Sequence, residues 1–153
     1  MKKKKVKQEY SASNKKKAIS IENPESFYDQ SPVWSFSLCD FEHERWSAAM
    51  YPDILPGLLK RLKSLEQMKS WEAVLGDKAG RKHHPKNHYI LVEDIISPAQ
   101  KRLEELKLND YDTLYSLTIT GERRLWGIIT EGTFFILWLD SHHEICPSHK
   151  KHT

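Results

Sequence analysis

A chain of 153 residues is long enough for one domain with a hydrophobic core and too short for two comfortable ones. Its mean hydropathy is −0.66, and no apolar run approaches the ~20 residues of a bilayer-spanning helix, so a membrane-spanning helix is excluded. The net charge of +3 hides a division: residues 1–17 hold eight lysines against one glutamate, and the rest carries sixteen basic against twenty acidic side chains.

Residues 1–31 read as a basic disordered tail and linker ending at Pro32. The opening MKKKKVK lacks a following apolar segment and so is not a signal peptide. Such an arm is drawn to any polyanion through counterion release, which makes its contribution salt-sensitive. A single domain is expected over 32–147, followed by a basic tail at 148–153.

The first strand is expected in VWSFSLCDF (33–41), where Trp34, Phe36 and Leu38 alternate with small or polar residues. DFEHER (40–45) reads as the start of a helix, its acids favoured by the helix dipole. An amphipathic helix follows over 54–68, with Leu55, Leu58, Leu59, Leu62, Leu65 and Met68 at three- and four-residue steps and Pro56 in its first turn. A short helix is expected at 71–75, capped by Ser70 and stopped by Gly76.

GDKAGRKHHPKN (76–87) breaks the pattern and reads as a long exposed loop, followed by a short strand HYILV (88–92). Ser97-Pro98 signals a helix start with Ser97 as N-cap, and Leu103 and Leu106 mark its buried side. The remainder is strand: TLYSLTIT (113–120), RLWGIIT (124–130) and TFFILWLD (133–140).

If Glu131-Gly132 is a two-residue turn, Thr130 faces Thr133, Ile128 faces Phe135, Trp126 faces Leu137 and Arg124 faces Leu139. Arg123 then lies opposite Asp140. Both faces of this hairpin are apolar, so it is expected to be central or covered on both sides, with Trp126 and Trp138 in the core. The expected fold is α+β: an antiparallel sheet of one N-terminal strand and a C-terminal three-strand meander, with two or three helices packed on it.

This order, closing on RRLWGIITEGTFFILWLDSHH, resembles the RelE/YoeB/HigB class of small bacterial toxins over roughly residues 33–146. Those toxins are compact α+β endoribonucleases. The resemblance implies a metal-independent endoribonuclease, cytoplasmic and acting on RNA or at the ribosome, with a cognate antitoxin as partner. Arg124 matches the arginine such toxins carry on a sheet strand. His143 matches their polar residue behind the last strand.

The residues themselves add RKHHPKNH (81–88), which supplies the base, cation and acid that 2′-hydroxyl attack on a phosphodiester requires. The candidate catalytic set is therefore His84, Arg124 and His143. Arg81, Lys82, Lys86, Arg123, Lys150 and Lys151 are the candidate RNA contacts. A non-enzymatic nucleic-acid- or protein-binding module of a mobile element is the alternative. A third reading is a small zinc-stabilised domain using His142, His143, Cys146 and His149, although no CxxC or HExxH frame is present. No metal or cofactor is expected. Cys39 and Cys146 are too few for a disulfide framework and fit a reducing compartment.

Overall fold

The computed structural model describes residues 27–47, 49, 51–76, 78–79 and 84–147, with the backbone alone at 78–79 and 84–85. Among the described residues, seven strands and three α-helices run in the order β1 (Val33–Ser35), α1 (Leu55–Glu66), α2 (Trp71–Leu75), β2 (Lys78–Ala79), β3 (His84–Pro85), β4 (Asn87–Leu91), α3 (Ser97–Glu105), β5 (Thr113–Thr120), β6 (Arg123–Thr130) and β7 (Thr133–Asp140). Single 3-10 turns at Pro52–Ile54 and Val92–Asp94 precede α1 and α3.

Five strands form one sheet in the order β1-β7-β6-β5-β4, and β2 and β3 form a separate small hairpin. The α+β class holds, but the sheet is mixed where an antiparallel one is expected. β1 returns to the last strand and pairs with it in parallel, Val33 opposite Thr133. β4 adds a fifth strand, antiparallel to β5. β1 is also shorter than the expected nine residues. Ser35 Oγ accepts the Ser37 amide, and the Cys39 amide donates to Phe36 O, so local bonds turn the chain out of the strand.

The sheet is buried on both faces. On one side α1 and α2 bring Leu58, Leu62, Leu65, Trp71 and Val74 against Tyr115, Leu117, Leu125, Ile129, Phe134 and Ile136. On the other, α3 and the segments around Trp46 and Ile145 cover Leu114, Trp126, Ile128, Leu137 and Trp138. The α1 stripe is narrower than its leucine content suggests: Leu55 and Leu59 remain exposed. Ser70 Oγ accepts the Ala73 amide at 3.2 Å and caps α2, and the Trp71 indole donates to Gly132 O at 2.7 Å. Phe27 is buried and the Glu72 amide donates to Tyr28 O, so the packed body begins before Pro32. Ser97 is the first helical residue of α3 rather than its cap; extended Ile96 holds the cap position.

No helix forms at 40–46. Side chains take the amides that a helix would bond internally: Asp40 Oδ1 accepts from Glu42, and His43 Nδ1 accepts from Arg45 and Trp46. The Asp40 N–H donates to Leu137 O, and the Leu139 N–H to Trp46 O, so the segment lies along β7.

The β6–β7 register follows expectation only at the turn. Glu131 and Gly132 both have positive φ (53° and 86°), as a two-residue primed turn requires, and Thr130–Thr133 and Ile128–Phe135 pair as expected. Between Trp126 and Gly127 the register shifts: Gly127 opposes Ile136, while Trp126 opposes Trp138 and Arg124 opposes Asp140. Leu137 is the extra residue of a bulge. The expected Trp126–Leu137, Arg124–Leu139 and Arg123–Asp140 pairs are thereby replaced, and Arg123 pairs with Thr120 across the other ladder. Gly127 is required here, because a Cβ at that position would lie 2.2 Å from Phe135 O and 2.8 Å from the Phe134 ring.

Candidate functional site

Residues opposed across an antiparallel ladder share a face. Two adjacent rows on the α3 side of the sheet follow. One is His88, Ser116, Trp126 and Trp138; the next, toward the β5–β6 turn, is Thr118, Arg124 and Asp140. The first row is sealed where Trp126 and Trp138 are fully buried, and opens at His88, which is exposed on β4. The second opens at Arg124. This end of the face carries His88, Arg124 and, just past β7, His143.

His143 is held there by its turn. The fully buried Asp140 accepts the amides of Glu144 and Ile145, each at 2.9 Å, closing a loop over Ser141, His142 and His143. His143 sits in the left-handed region (φ 58°), a conformation that costs a side-chain-bearing residue roughly 1 kcal/mol or more. The two amide bonds to a buried carboxylate offset that strain.

The electrostatics tie these groups together. Partial burial of a ring still open to solvent, reinforced by the charge of Arg124, lowers the pKa of His88 below the ordinary imidazole value. His143 is lowered in the same way by burial and Arg124, with Asp140 and Glu122 opposing. Both rings are therefore shifted toward the neutral form. Burial also lowers Arg124, against the opposing pull of Asp140 and Glu122. Among the described residues Arg124 makes no ion pair. Its Nη1 donates to Gly121 O at 2.6 Å and to Arg123 O at 3.1 Å, and its other donors have no acceptor among the described residues. Two imidazoles shifted toward the neutral form beside a guanidinium can offer both a proton acceptor and a cation.

Of the expected catalytic set, Arg124 and His143 both stand at the open end of the hairpin, near enough for the Arg124 charge to act on the imidazole. His84 contributes only the backbone of β3; its side chain, like Arg81, Lys82, Lys150, Lys151 and His149, lies outside the described residues. Lys86 leads into β4, its carbonyl accepting from Thr118 Oγ1 at 2.5 Å. Arg123 is exposed on the opposite face from Arg124. His88 joins this end through pairing that sequence order does not reveal: alternation in HYILV puts it on the face that carries Ile90, and the β4–β5 pairing brings that face to Arg124.

A second polar constellation adjoins the first. Asp40 is almost wholly buried and accepts a two-pronged bond from Arg102, Nε to Oδ2 and Nη2 to Oδ1, each 2.8 Å. Trp138 Nε1 adds a bond to Oδ2 at 2.9 Å. Burial alone would raise the Asp40 pKa, but these bonds and the Glu42 amide outweigh it and hold the carboxyl at about 2. The His43 ring stacks on Trp46 at 4.2 Å, and Arg45 lies over Trp46 while bonding Glu144 at 2.7 Å. Every strong group here already has a protein partner, so the constellation reads as a fastening that joins the 40–46 segment to α3, β7 and the His143 turn.

Among the described residues no group of three His, Cys, Asp or Glu side chains is arranged to hold a metal ion. Cys146 donates to Asp94 O at 3.7 Å, and burial raises its pKa, so it is a poor thiolate ligand as placed. No described helix is long and apolar enough to cross a membrane. No curated protein and no solved structure matches the chain. One family model does, over residues 33–153. The chain belongs to the family described as Uncharacterised protein UU032.

Proposed function

We propose that the protein is a toxin-like, metal-independent endoribonuclease whose acid–base groups are His88 and His143 and whose phosphate-stabilising cation is Arg124. One observation carries this reading: the sheet register sets Arg124 beside the row that opens at His88 and opposite Asp140, whose carboxylate closes the turn bearing His143. In the reaction, one neutral imidazole takes the proton of a ribose 2′-hydroxyl as that oxygen bonds phosphorus. Arg124 neutralises the charge gathering on the non-bridging oxygens. Phosphate binding raises the other imidazole's pKa, so that it is protonated and can give its proton to the departing 5′-oxygen. The products are a 2′,3′-cyclic phosphate and a free 5′-hydroxyl. An antitoxin partner and a ribosomal setting belong to the same reading through the toxin resemblance.

A binding module without catalysis is the second reading. It is favoured by the shift of both histidines toward the neutral form and by the backbone carbonyls that occupy Arg124 Nη1. Incubating the protein with single-stranded RNA, with and without ribosomes and in a metal chelator, separates the two. The ribonuclease reading expects cyclic-phosphate ends and a loss of about a hundredfold or more in rate for Arg124→Ala. RNA retained but never cut gives the binding module first place. RNA neither bound nor cut overturns both.

A further inference from the structure

Within the 40–46 segment a turn is closed by an imidazole. His43 Nδ1 accepts the amide of Arg45 at 3.1 Å and that of Trp46 at 3.3 Å. Accepting there fixes the tautomer, with the lone pair on Nδ1 and the ring proton on Nε2. The ring lies flat on Trp46, 4.2 Å away and 1° from parallel. The closed turn carries several contacts at once. The Trp46 indole packs on Trp138, its carbonyl accepts the Leu139 amide at 2.8 Å, and the Arg45 carbonyl accepts the Tyr51 hydroxyl. Arg45 and the Trp46 indole both donate to Glu144 Oε1, at 2.7 and 3.4 Å, beside His143.

We propose that His43 is a pH-sensitive latch, which closes the 43–46 turn while its ring is neutral and opens it on protonation. A charged imidazole is a donor at both nitrogens, so neither orientation of the ring can accept an amide. A proton on Nδ1 faces two other donors. The stack is not what resists the charge, since an indole face attracts a cation. The two accepted amides are. Opening the turn withdraws Arg45 and Trp46 from Glu144, so the change reaches the turn that carries His143. The latch does not depend on the ribonuclease reading, because it requires no chemistry at that turn.

The charges around the ring oppose one another. Burial lowers the pKa of His43 below the ordinary imidazole value; Asp40 and Glu44 pull it up, while Arg102 of α3 and Arg45 push it further down. Each of the two arginines is itself paired, Arg102 with Asp40 and Glu105, and Arg45 with Glu144. Hydrogen bonds accepted by the neutral form act with burial. A lowered folded value means that the hold is complete above about pH 6.5. It is lost as pH falls below that, through the folded value. This window lies above the one in which Asp40, held at about 2, takes a proton.

Amide and imidazole NMR of the full chain, from about pH 8 to about pH 4.5, spans that window and tests the latch. At the upper end the His43 ring should carry its proton on Nε2. On acidification the Arg45 and Trp46 amides should shift together with the His43 ring, at a midpoint below the ordinary imidazole value. Their hydrogen exchange, corrected for its intrinsic pH dependence, should speed up about tenfold or more. His43→Asn is the discriminating variant, because its side-chain oxygen can accept the same amides and does not titrate. It should keep the turn closed and abolish the transition. His43→Ala, with no acceptor, should exchange fast at both ends of the range. Wild-type amides that ignore the titration of His43, or a ring protonated on Nδ1 at the upper end, overturn the proposal. So does a transition that survives in His43→Asn.

Discussion

Arg124 lies directly across the β6–β7 ladder from Asp140, and the bulge at Leu137 puts it there. An unbroken hairpin would oppose Arg124 to Leu139 and turn Asp140 to the other face. The extra residue lets Leu137 and Trp138 both pack on the α3 side. Asp140 thereby joins the Arg124 row, and its carboxylate can close the turn that carries His143.

Gly127 is the point on which this register rests. Gly127→Ala should destabilise the fold by about 1–3 kcal/mol or more, because the new methyl meets backbone at Phe135 that cannot swing away. Chemical denaturation of the purified variant measures it. An alanine variant as stable as the wild type would contradict the assigned bulge.

Asp140 should act on His143 in two ways. Asp140→Asn replaces one accepting oxygen with a donor facing an amide, which should cost about 1–3 kcal/mol. It also removes a negative charge that raises the His143 pKa, so His143 should titrate lower than in the wild type. Arg124→Gln has the opposite sign: His88 and His143 should both rise, yet stay below the ordinary imidazole value, because burial is the larger cause for each. Histidine titrations by NMR read all of these shifts.

Acid should loosen the fold through Asp40. Its folded pKa of about 2 lies below the ordinary carboxylate value. The stabilisation is therefore fully present above about pH 4 and is lost as pH falls toward 2, and is worth about 2 kcal/mol. Asp40→Ala should remove that acid step. It should also cost about 3–5 kcal/mol at pH 7, since Arg102 and the Trp138 indole lose their acceptor. Melts of both proteins across this pH range make the comparison.

Local chemistry was legible in the chain. Ser70 and Gly76 bracket α2 as expected, and Glu131-Gly132 marks its hairpin. The bounds of β5 and β7 match the apolar alternation. What escaped was non-local. β1 finds its partner near the far end of the chain, so its parallel direction leaves no trace in periodicity. The bulge depends on the close approach of Phe134 to Gly127, which no pattern of apolar residues encodes. DFEHER has the acids of a helix start, but Asp40 bonds Arg102 on α3 instead. Of the proposed site, the placement of Arg124 and His143 at one end follows from the hairpin that links them, whereas the nearness of His88 to Arg124 runs through β5 and leaves no trace in local sequence.

If His88, Arg124 and His143 form one anion-binding site, as proposed, a bound phosphate must be felt by both histidines. NMR titration of the histidines in the full chain, with and without a ribonucleotide 3′-monophosphate, tests it most directly. A bound phosphate adds negative charge beside both rings, so both pKa values should rise together, and Arg124→Gln should abolish the response. Phosphate that moves neither ring, or only one, or acts equally on the Arg124→Gln variant, would contradict the account.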